Sequence, residues 1–315
     1  MNWYRYLLKR LGQYVIVLFG VTLIIFVITR LSGDPVTLLT GQDASPELIQ
    51  SIREDLGLDQ PIAVQYGLFL RDALLFDFGE SIVVARGQPV RGVVLGRVWP
   101  TVQLTIVATV FAFAIGVPIG ALSAIKQGEY TDMGGMIFAL LGQSVPSFWV
   151  GLMLILFVAV PVDFFPTRGA GTWRHLILPG LTLSFFMMAS IARLTRSNLA
   201  DILDEEFIKT ARSKGIRELS VYNSHALRNA FIPVVSYAGV QIAYLFGGAV
   251  ITEQIFAYPG MGRLAIQSIY ARDFPVIQGV VFFAAVMVII VNFTIDMLYL
   301  KLDPRISYGG GANGE

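Results

Sequence analysis

The chain contains no cysteine and little charge. Without cysteine, disulfide frameworks and cysteine-ligated metal sites are excluded. Its two histidines, His175 and His225, lie far apart in sequence, which disfavours a histidine-rich metal site. Only 14% of the residues are charged, against about a quarter in soluble proteins. The net charge of +1 gives no basic excess of the kind that nucleic-acid-binding proteins carry, so we expect no nucleic-acid partner.

Several catalytic motifs are also missing from the sequence. No lysine follows a glycine, so the nucleotide-binding loop G-x-x-x-x-G-K-[ST] cannot occur. There is no H-E-x-x-H zinc motif and no G-x-S-x-G nucleophile elbow. These absences disfavour a membrane-embedded enzyme, and we expect the chain itself to be non-catalytic.

Long apolar runs dominate what is present. Crossing a bilayer takes roughly 17 to 25 predominantly apolar residues, and the sequence predicts an all-α polytopic membrane protein with six spans. The first run has no small-x-small cleavage site at its end, so it is predicted to remain as an anchor. The predicted spans are Leu11–Thr29, Thr101–Ile125, Met136–Val160, Leu176–Ala192, Phe231–Phe256 and Val276–Leu300.

The basic residues predict the orientation of these spans. Lysines fall only in segments that share one side of the membrane, and the loop 193–230 is rich in lysine and arginine. Short cytoplasmic segments carry this excess, whereas long external segments cross largely regardless of charge. Both termini are therefore predicted to be cytoplasmic.

Few acidic residues fall within the predicted spans. Asp296 lies near the cytoplasmic end of the last span, and Glu253 lies near the outer edge of the fifth. Ion-coupled carriers normally keep ionisable groups near the midplane, because such groups are costly in lipid and are retained for function. The sequence therefore favours an external energy source, although a stand-alone secondary carrier or channel stays open.

Residues 31–100 predict a small helical segment outside the membrane. Ser45, Pro46 and Glu47 form a helix start, with a capping hydroxyl, a proline at the first position and an acid near the positive dipole end. Gly57 is placed to end that helix, and a second helix is expected from Pro61 to Leu75. The segment is either a cap over the spans or a contact surface for an external partner.

Small and polar residues mark the second, third and fifth spans. Gly116 and Gly120 lie four residues apart around Pro118, a spacing that lets helix backbones approach closely in lipid. Polar, uncharged groups near Pro146 are typical of a face along a watery path. The predicted path residues are Gln143, Ser144, Ser147 and Gln241.

A polar, basic loop from Arg193 to Ala230 separates two apolar spans. Leu199, Ile202, Leu203, Phe207 and Ala211 recur at helical spacing, with Ser197 as the predicted N-cap. Gly215 can take a positive φ and end this helix in a tight turn. The helix–glycine–helix unit is either a lever projecting into the cytoplasm or an amphipathic hairpin lying on anionic lipid.

The loop resembles the coupling loop of binding-protein-dependent ABC importers, specifically the B-type permease of the dipeptide/oligopeptide family. Ordered matches cover essentially the whole chain. The stretch from Phe165 to Pro179 resembles permeases assigned to glutathione and short peptides, and nickel or another small solute stays open because related permeases serve metal complexes. The ordered matches are Gly33-Asp34-Pro35, Leu56-Gly57-Leu58-Asp59-Gln60-Pro61, Asp77-Phe78-Gly79, Thr210-Ala211-Arg212-Ser213-Lys214-Gly215, His225-Ala226-Leu227-Arg228-Asn229, Thr252-Glu253-Gln254-Ile255-Phe256, Pro259-Gly260-Met261-Gly262-Arg263 and Arg272-Asp273-Phe274-Pro275-Val276.

This resemblance implies a type I importer permease fold and a transport function for di- or oligopeptides or a similar small solute such as glutathione. It implies a C-type permease partner, two ABC ATPase subunits that bind ATP and Mg²⁺, an extracytoplasmic binding protein and a bacterial inner-membrane location. It also implies an external contact at Asp77, Gly79, Glu253 and Arg263. The implied ATPase-coupling residues are Lys209, Thr210, Ala211, Lys214, Gly215, Arg217, Val221, Tyr222, His225, Leu227, Arg228 and Asn229.

The expected division of the chain follows from these assignments. Residues 1–30 form the cytoplasmic N-terminus and first span, and 31–100 form the extracytoplasmic segment. Residues 101–306 form the permease core with the coupling loop 193–230, and 307–315 form a disordered cytoplasmic tail.

Overall fold

The computed structural model describes residues 3–31, 45–55 and 57–302, and every element in these ranges is helical. The helices are α1 (Trp3–Leu31), α2 (Pro46–Asp55), α3 (Ile62–Leu74), α4 (Val90–Ile125), α5 (Tyr130–Ser144), α6 (Ser147–Leu154), α7 (Arg174–Leu203), α8 (Glu206–Ser213), α9 (Leu227–Ile255), α10 (Met261–Ala271) and α11 (Phe274–Leu302). A π-helical turn, Ile155–Ala159, directly follows α6. A short α-helical turn, Glu218–Ser220, and a second π-helical turn, Val221–Ala226, directly precede α9.

Five of the described helices are long and apolar enough to cross a membrane: α1, α4, α7, α9 and α11. The predicted third span is instead a bent pair. Pro146 takes an extended conformation between α5 and α6. The helix axis bends by 108° from Tyr130–Ser144 to Ser147–Ala159. Since proline disfavours the helical conformation of the residue before it, Val145 ends α5 and the expected continuous helix is interrupted.

The chain forms two compact units, of which the first comprises Met1–Val98 and Leu264–Glu315. Here α1 packs against α11 and against α3. Phenylalanine rings fill its interior, with Phe78 packed edge-on or tilted against Phe69, Phe282 and Phe283 at centroid distances of 5.4–6.5 Å. Asp296 on α11 accepts hydrogen bonds from Arg10 Nη2 and the Tyr14 hydroxyl, both at 2.9 Å.

The helices of residues 31–100 agree with their predicted boundaries where the structure describes them. Both α2 and α3 form, and Gly57 follows α2 at φ +62°. Hydrogen bonds from its own backbone N–H and from the Ser45 hydroxyl lower the pKa of the Glu47 carboxyl. The matched motif at 33–35 lies outside the described residues.

The second unit, Trp99–Arg263, is built around α7. In the most apolar stretch of α7, 67% of the residues are buried, against 17% in the corresponding stretch of α1. The difference arises because α5, α6 and α9 all pack on α7. Gly116 and Gly120 let α4 approach α7 closely. A Cβ added at Gly116 would lie 2.6 Å from the Met188 carbonyl oxygen, and a Cβ added at Gly120 would overlap the Ala192 carbonyl oxygen. The close approach predicted from these glycines is confirmed.

Candidate functional site

The polar loop is anchored by one apolar face. Asp204 and Glu205 separate α7 from α8. In α8, Ile208 and Ala211 are buried and the other residues are exposed. Ile208 and Ala211 belong to a buried cluster with the end of α4, with α7, with the π-helical turn before α9 and with the start of α9. The other members are Ala124, Leu199, Val221, Ala226 and Ala230. A force on the exposed face of α8 would therefore reach the ends of three long helices.

The predicted N-cap of this segment is wrong, because Ser197 lies inside α7, which continues to Leu203. The sequence pattern was apolar on one face through both helices, so it gave no sign of the break. Glu205 is extended at φ −69° and ψ 148°, and this residue separates α7 from α8.

A tight turn at Gly215 ends α8, as predicted. Gly215 has φ +75°, and its N–H donates to the Arg212 carbonyl at 2.9 Å while the Ile216 N–H donates to the Ala211 carbonyl at 3.3 Å. This pair of bonds is the Schellman arrangement, which satisfies the last carbonyls of a helix and needs a left-handed residue. Nothing lies within 4 Å of a Cβ added at Gly215, so the glycine is required by backbone conformation and not by space.

Charged side chains brace the turn from both sides. Arg212 Nε donates to Glu218 Oε1 at 3.1 Å, which links α8 to the helical turn beyond Gly215. Burial, followed by hydrogen bonding to Glu218, raises the pKa of the Tyr222 hydroxyl. Residues 212–222 thus form a braced tip and not an open loop.

The predicted coupling residues divide between this tip and its anchor. Ala211 and Val221 are buried, while Tyr222 and Leu227 are half-buried and hold the tip to the unit. The side chain of His225 lies outside the part of the chain that the structure describes. The exposed members are Lys209, Thr210, Lys214, Gly215, Arg217, Arg228 and Asn229.

The predicted path residues cluster partly at the bend in the third span. Gln143 and Ser144 end α5 and Ser147 begins α6, while Gln241 lies half-buried on α9. Within the described part of the chain, the Gln143 Nε2 atom is buried without a hydrogen-bond partner. Gly142 packs so closely on α7 that an added Cβ would overlap that of Ala189, which fixes where the bend lies.

Glu253 and Arg263 are joined by a hydrogen bond within one turn of the chain. Glu253 is fully buried and accepts hydrogen bonds from the Thr101 hydroxyl at 2.7 Å and the Arg263 N–H at 3.0 Å. An added Cβ at Gly260 would overlap its carboxylate. The Glu253 side chain therefore holds the turn at 258–263 from inside the unit, whereas Arg263 is half-buried and donates to the Ala257 carbonyl.

Asp77 and Gly79 lie together on the surface of the first unit. Asp77 is exposed and its Oδ1 accepts the Gly79 N–H at 3.1 Å. Gly79 has φ +73°, and its carbonyl accepts the Val90 N–H at the start of α4. The pair shapes the chain that leads into the second span.

Two buried carboxylates were not singled out as sites by the sequence. Asp132, in the first turn of α5, accepts bonds from Arg196 Nε at 2.5 Å and Nη2 at 2.7 Å, which ties α5 to α7. Asp273 accepts bonds from the Ser81 hydroxyl at 2.6 Å and from the N–H groups of Val83 and Val84, both at 2.9 Å. Their sequence signal is faint: an acid at a helix start, and one before Phe274-Pro275.

The ionisation of Asp273 reflects this wrapping. Burial acts to raise its pKa, but the hydrogen bonds from Ser81 and from the N–H groups of residues 82–84 outweigh burial and lower the pKa below its usual value. No metal-ligand cluster of three or more His, Cys, Asp or Glu side chains occurs among the described residues.

Comparison with known proteins gives consistent matches over nearly the whole chain. The family model "Binding-protein-dependent transport system inner membrane component" matches residues 116–308, and the model for the N-terminal part of such components matches residues 3–111. A peptide transport system permease protein of Brucella suis biovar 1 (strain 1330) is 40% identical over 311 residues, covering 96% of this chain and 98% of that protein.

Two further comparisons support the same assignment. The glutathione transport system permease protein GsiC of Salmonella choleraesuis (strain SC-B67) is 40% identical, covering 96% of this chain and 99% of that protein. An inward-facing structure of the MetNI methionine ABC transporter aligns with a TM-score of 0.56 at 20% identity, covering 66% of this chain and 95% of that chain. That alignment shows similarity of fold.

Proposed function

Because the chain belongs to the family of binding-protein-dependent transport system inner membrane components, we propose that it forms half of the translocation path of an ATP-driven importer for di- or oligopeptides or a similar small solute such as glutathione. It is a membrane permease with the type I ABC importer fold predicted from its sequence. The names of the relatives at 40% identity support this choice of substrate class.

We further propose the partners of this permease. A C-type permease would complete the path, a binding protein would deliver substrate from outside near Asp77, Gly79 and Arg263, and two ATPases would bind below. ATP and Mg²⁺ belong to those ATPases, since this sequence has no G-x-x-x-x-G-K-[ST] loop. The proposed location is a bacterial inner membrane with both termini cytoplasmic and residues 31–100 outside.

The observation that carries the mechanism is the anchored segment at residues 206–228, which includes the braced tip at 212–222. Its apolar face is buried against α4, α7 and α9, and its outer face presents Lys214, Arg217 and Arg228. ATPases that bind this face more tightly in one conformation would shift the permease between inward- and outward-facing states. The chain would gain directionality from its partners without breaking a bond itself.

Charge reversal at the tip tests this proposal. Both cations are exposed, so Arg217→Glu with Arg228→Glu should weaken ATPase binding several-fold at low salt, and the difference should shrink at high salt because exposed charges are screened. Binding to permease in nanodiscs, measured by surface plasmon resonance, checks it. Arg168→Glu, on the predicted outer side, is the control, and unchanged binding by the double variant would place the contact elsewhere.

A further inference from the structure

The first unit contains a cavity of about 400 Å³, and Asp77 and Gly79, which the proposed function places near the binding protein, line part of it. This volume lies within the roughly 300–1,000 Å³ of small-molecule sites. It is lined by the end of α1, by α3, by the chain at 77–82 and by the start of α11. All of these segments lie in one compact unit, so the cavity belongs to a single folded body.

The lining combines an aromatic wall with charges of both signs. Phe26, Phe69 and Phe78 supply the wall, with ring centroids of successive pairs 5.9 and 6.5 Å apart. Arg30 lies over the Phe26 ring, with its guanidinium carbon 5.4 Å from the centroid. The carboxylates of Asp72 and Asp77 line the same space.

The two carboxylates keep acceptor capacity. Asp72 uses Oδ1 for Arg71 at 2.9 Å, and Asp77 uses Oδ1 for the Gly79 N–H at 3.1 Å. Among the described residues, none donates a hydrogen bond to Oδ2 of Asp72 or of Asp77, so each Oδ2 can accept one from a ligand. A carboxylate with an open oxygen beside aromatic faces is a favourable place for an ammonium group, which both features attract.

From this lining we propose that the cavity binds a short zwitterionic peptide. The terminal ammonium would face Asp72 and Asp77, the terminal carboxylate would face Arg30, and an apolar side chain would lie on the phenylalanine wall. Arg71 offsets the charge of Asp72, and Arg30 is the one cation among the residues that line the cavity. Glutathione would bring a second carboxylate with no further lining cation to meet it, so neutral or basic peptides should bind better than glutathione, which is itself anionic. The inference rests on the proposed function for its ligand class and adds a subsite on the permease.

Equilibrium binding of radiolabelled Ala-Phe to the purified complex of both permeases and ATPases, without binding protein, tests this inference. We expect saturable binding that is competed poorly by glutathione and by N-acetyl-Ala-Phe-amide, which lacks both end charges. Asp72→Asn with Asp77→Asn should weaken binding about tenfold or more, the range for losing charge-assisted hydrogen bonds. Asp59→Asn, whose site is exposed and does not line the cavity, should bind as the native complex does.

Arg30→Gln provides a second variant in case the double variant loses stability. It should weaken Ala-Phe while leaving Ala-Phe-amide, which has no terminal carboxylate, unaffected. The absence of saturable binding by the native complex, or equal affinities in the native complex and both cavity variants, would overturn the inference. If the aspartate variants weaken docking of the binding protein and no peptide binding is found, the cavity receives that protein and the inference is wrong.

ATP-driven uptake with the binding protein, measured on the same preparations, separates this inference from the proposed function. Peptide uptake by a complex that binds no peptide at the cavity would reject the subsite alone. Absence of ATP-driven uptake of peptides or glutathione would reject the proposed function, whatever the cavity binds.

Discussion

Two fully buried carboxylates, Glu253 and Asp273, hold turns of the chain in place. A buried charge is costly unless hydrogen bonds compensate it. Glu253 gathers the Thr101 hydroxyl and the Arg263 N–H, and Asp273 gathers Ser81 and a run of backbone N–H groups. Glu253 was predicted as an external contact, whereas Asp273 occurred only inside one of the matched motifs; the fold shows that both carboxylates face the interior.

The lowered pKa of Asp273 predicts a pH-dependent stability. A carboxylate with a folded pKa below its unfolded value of about 3.9 stabilises the fold above that value, and the contribution is lost as pH falls through the folded pKa. Asp273→Asn should therefore lower the unfolding temperature near neutral pH, with a cost of about 1–3 kcal/mol for the groups left unpaired.

Unfolding of the native and Asp273→Asn proteins between pH 7 and 3, followed by differential scanning fluorimetry, measures this effect. The gap in unfolding temperature should stay constant down to about pH 4 and narrow as the pH falls further. Asp59→Asn, an exposed change in the same unit, is the control. A gap that stays constant over this range would show that ionisation of Asp273 does not stabilise the fold.

Helix ends illustrate what single residues reveal in the sequence. Gly57 and Gly215 were predicted as stops, and both take positive φ after their helices. Phe76, Ala257 and Arg272 adopt the same left-handed conformation without being glycine. Tertiary contacts must hold these three, since a non-glycine residue there costs roughly 1–2 kcal/mol, and no local pattern announces them.

At the scale of elements, periodicity predicted α3 and the α8 turn well, because each follows a local rule of spacing and capping. It failed where apolar residues continue through a break. Pro146 divides the third span and Glu205 divides α7 from α8, although the apolar pattern runs through both. The path and coupling roles assigned to neighbouring residues stay predictions.

The Asp132–Arg196 pair should be the strongest polar link between α5 and α7. Both side chains are largely buried, with 8% and 23% exposure, so removing one partner leaves a charge without compensation. Asp132→Ala should cost about 3–5 kcal/mol, and the double variant with Arg196→Ala should cost less than the two single changes summed.

Thermal unfolding of the purified chain in detergent gives this double-mutant cycle. Glu129→Ala is a matched control, because Glu129 and Lys126 form an exposed pair at 3.7 Å, and such pairs contribute about 0–1 kcal/mol. Equal losses for Asp132→Ala and Glu129→Ala would mean that the buried pair does not join the helices.

The Gly215 turn should be required for coupling and dispensable for insertion. Proline fixes φ near −65° and removes the N–H that donates to Arg212, so Gly215→Pro should distort the tip and abolish uptake. Gly215→Asn should keep most uptake, because asparagine tolerates the left-handed conformation. Uptake by cells at matched membrane levels checks both, and normal uptake by the proline variant would refute the lever mechanism.

At the scale of the whole molecule, the motif resemblance predicted the family correctly, because its matches are ordered along the entire chain. Which helices pack together was beyond the sequence, since apolar spans lack the polar contrast that identifies neighbours. The structure groups Met1–Val98 with Leu264–Glu315. The predicted division at 1–30, 31–100, 101–306 and 307–315, the orientation and the composition of the assembly stay predictions.

Gentle extraction of the tagged chain from its native membrane, with mass-spectrometric identification of the proteins that co-purify, tests whether the chain is one subunit of an ATP-driven importer. The proposed importer function predicts a second, different permease together with two ATPase subunits that carry nucleotide-binding loops. A chain that emerges alone or only with copies of itself, and that transports solute without ATP, would contradict it and favour a stand-alone carrier or channel.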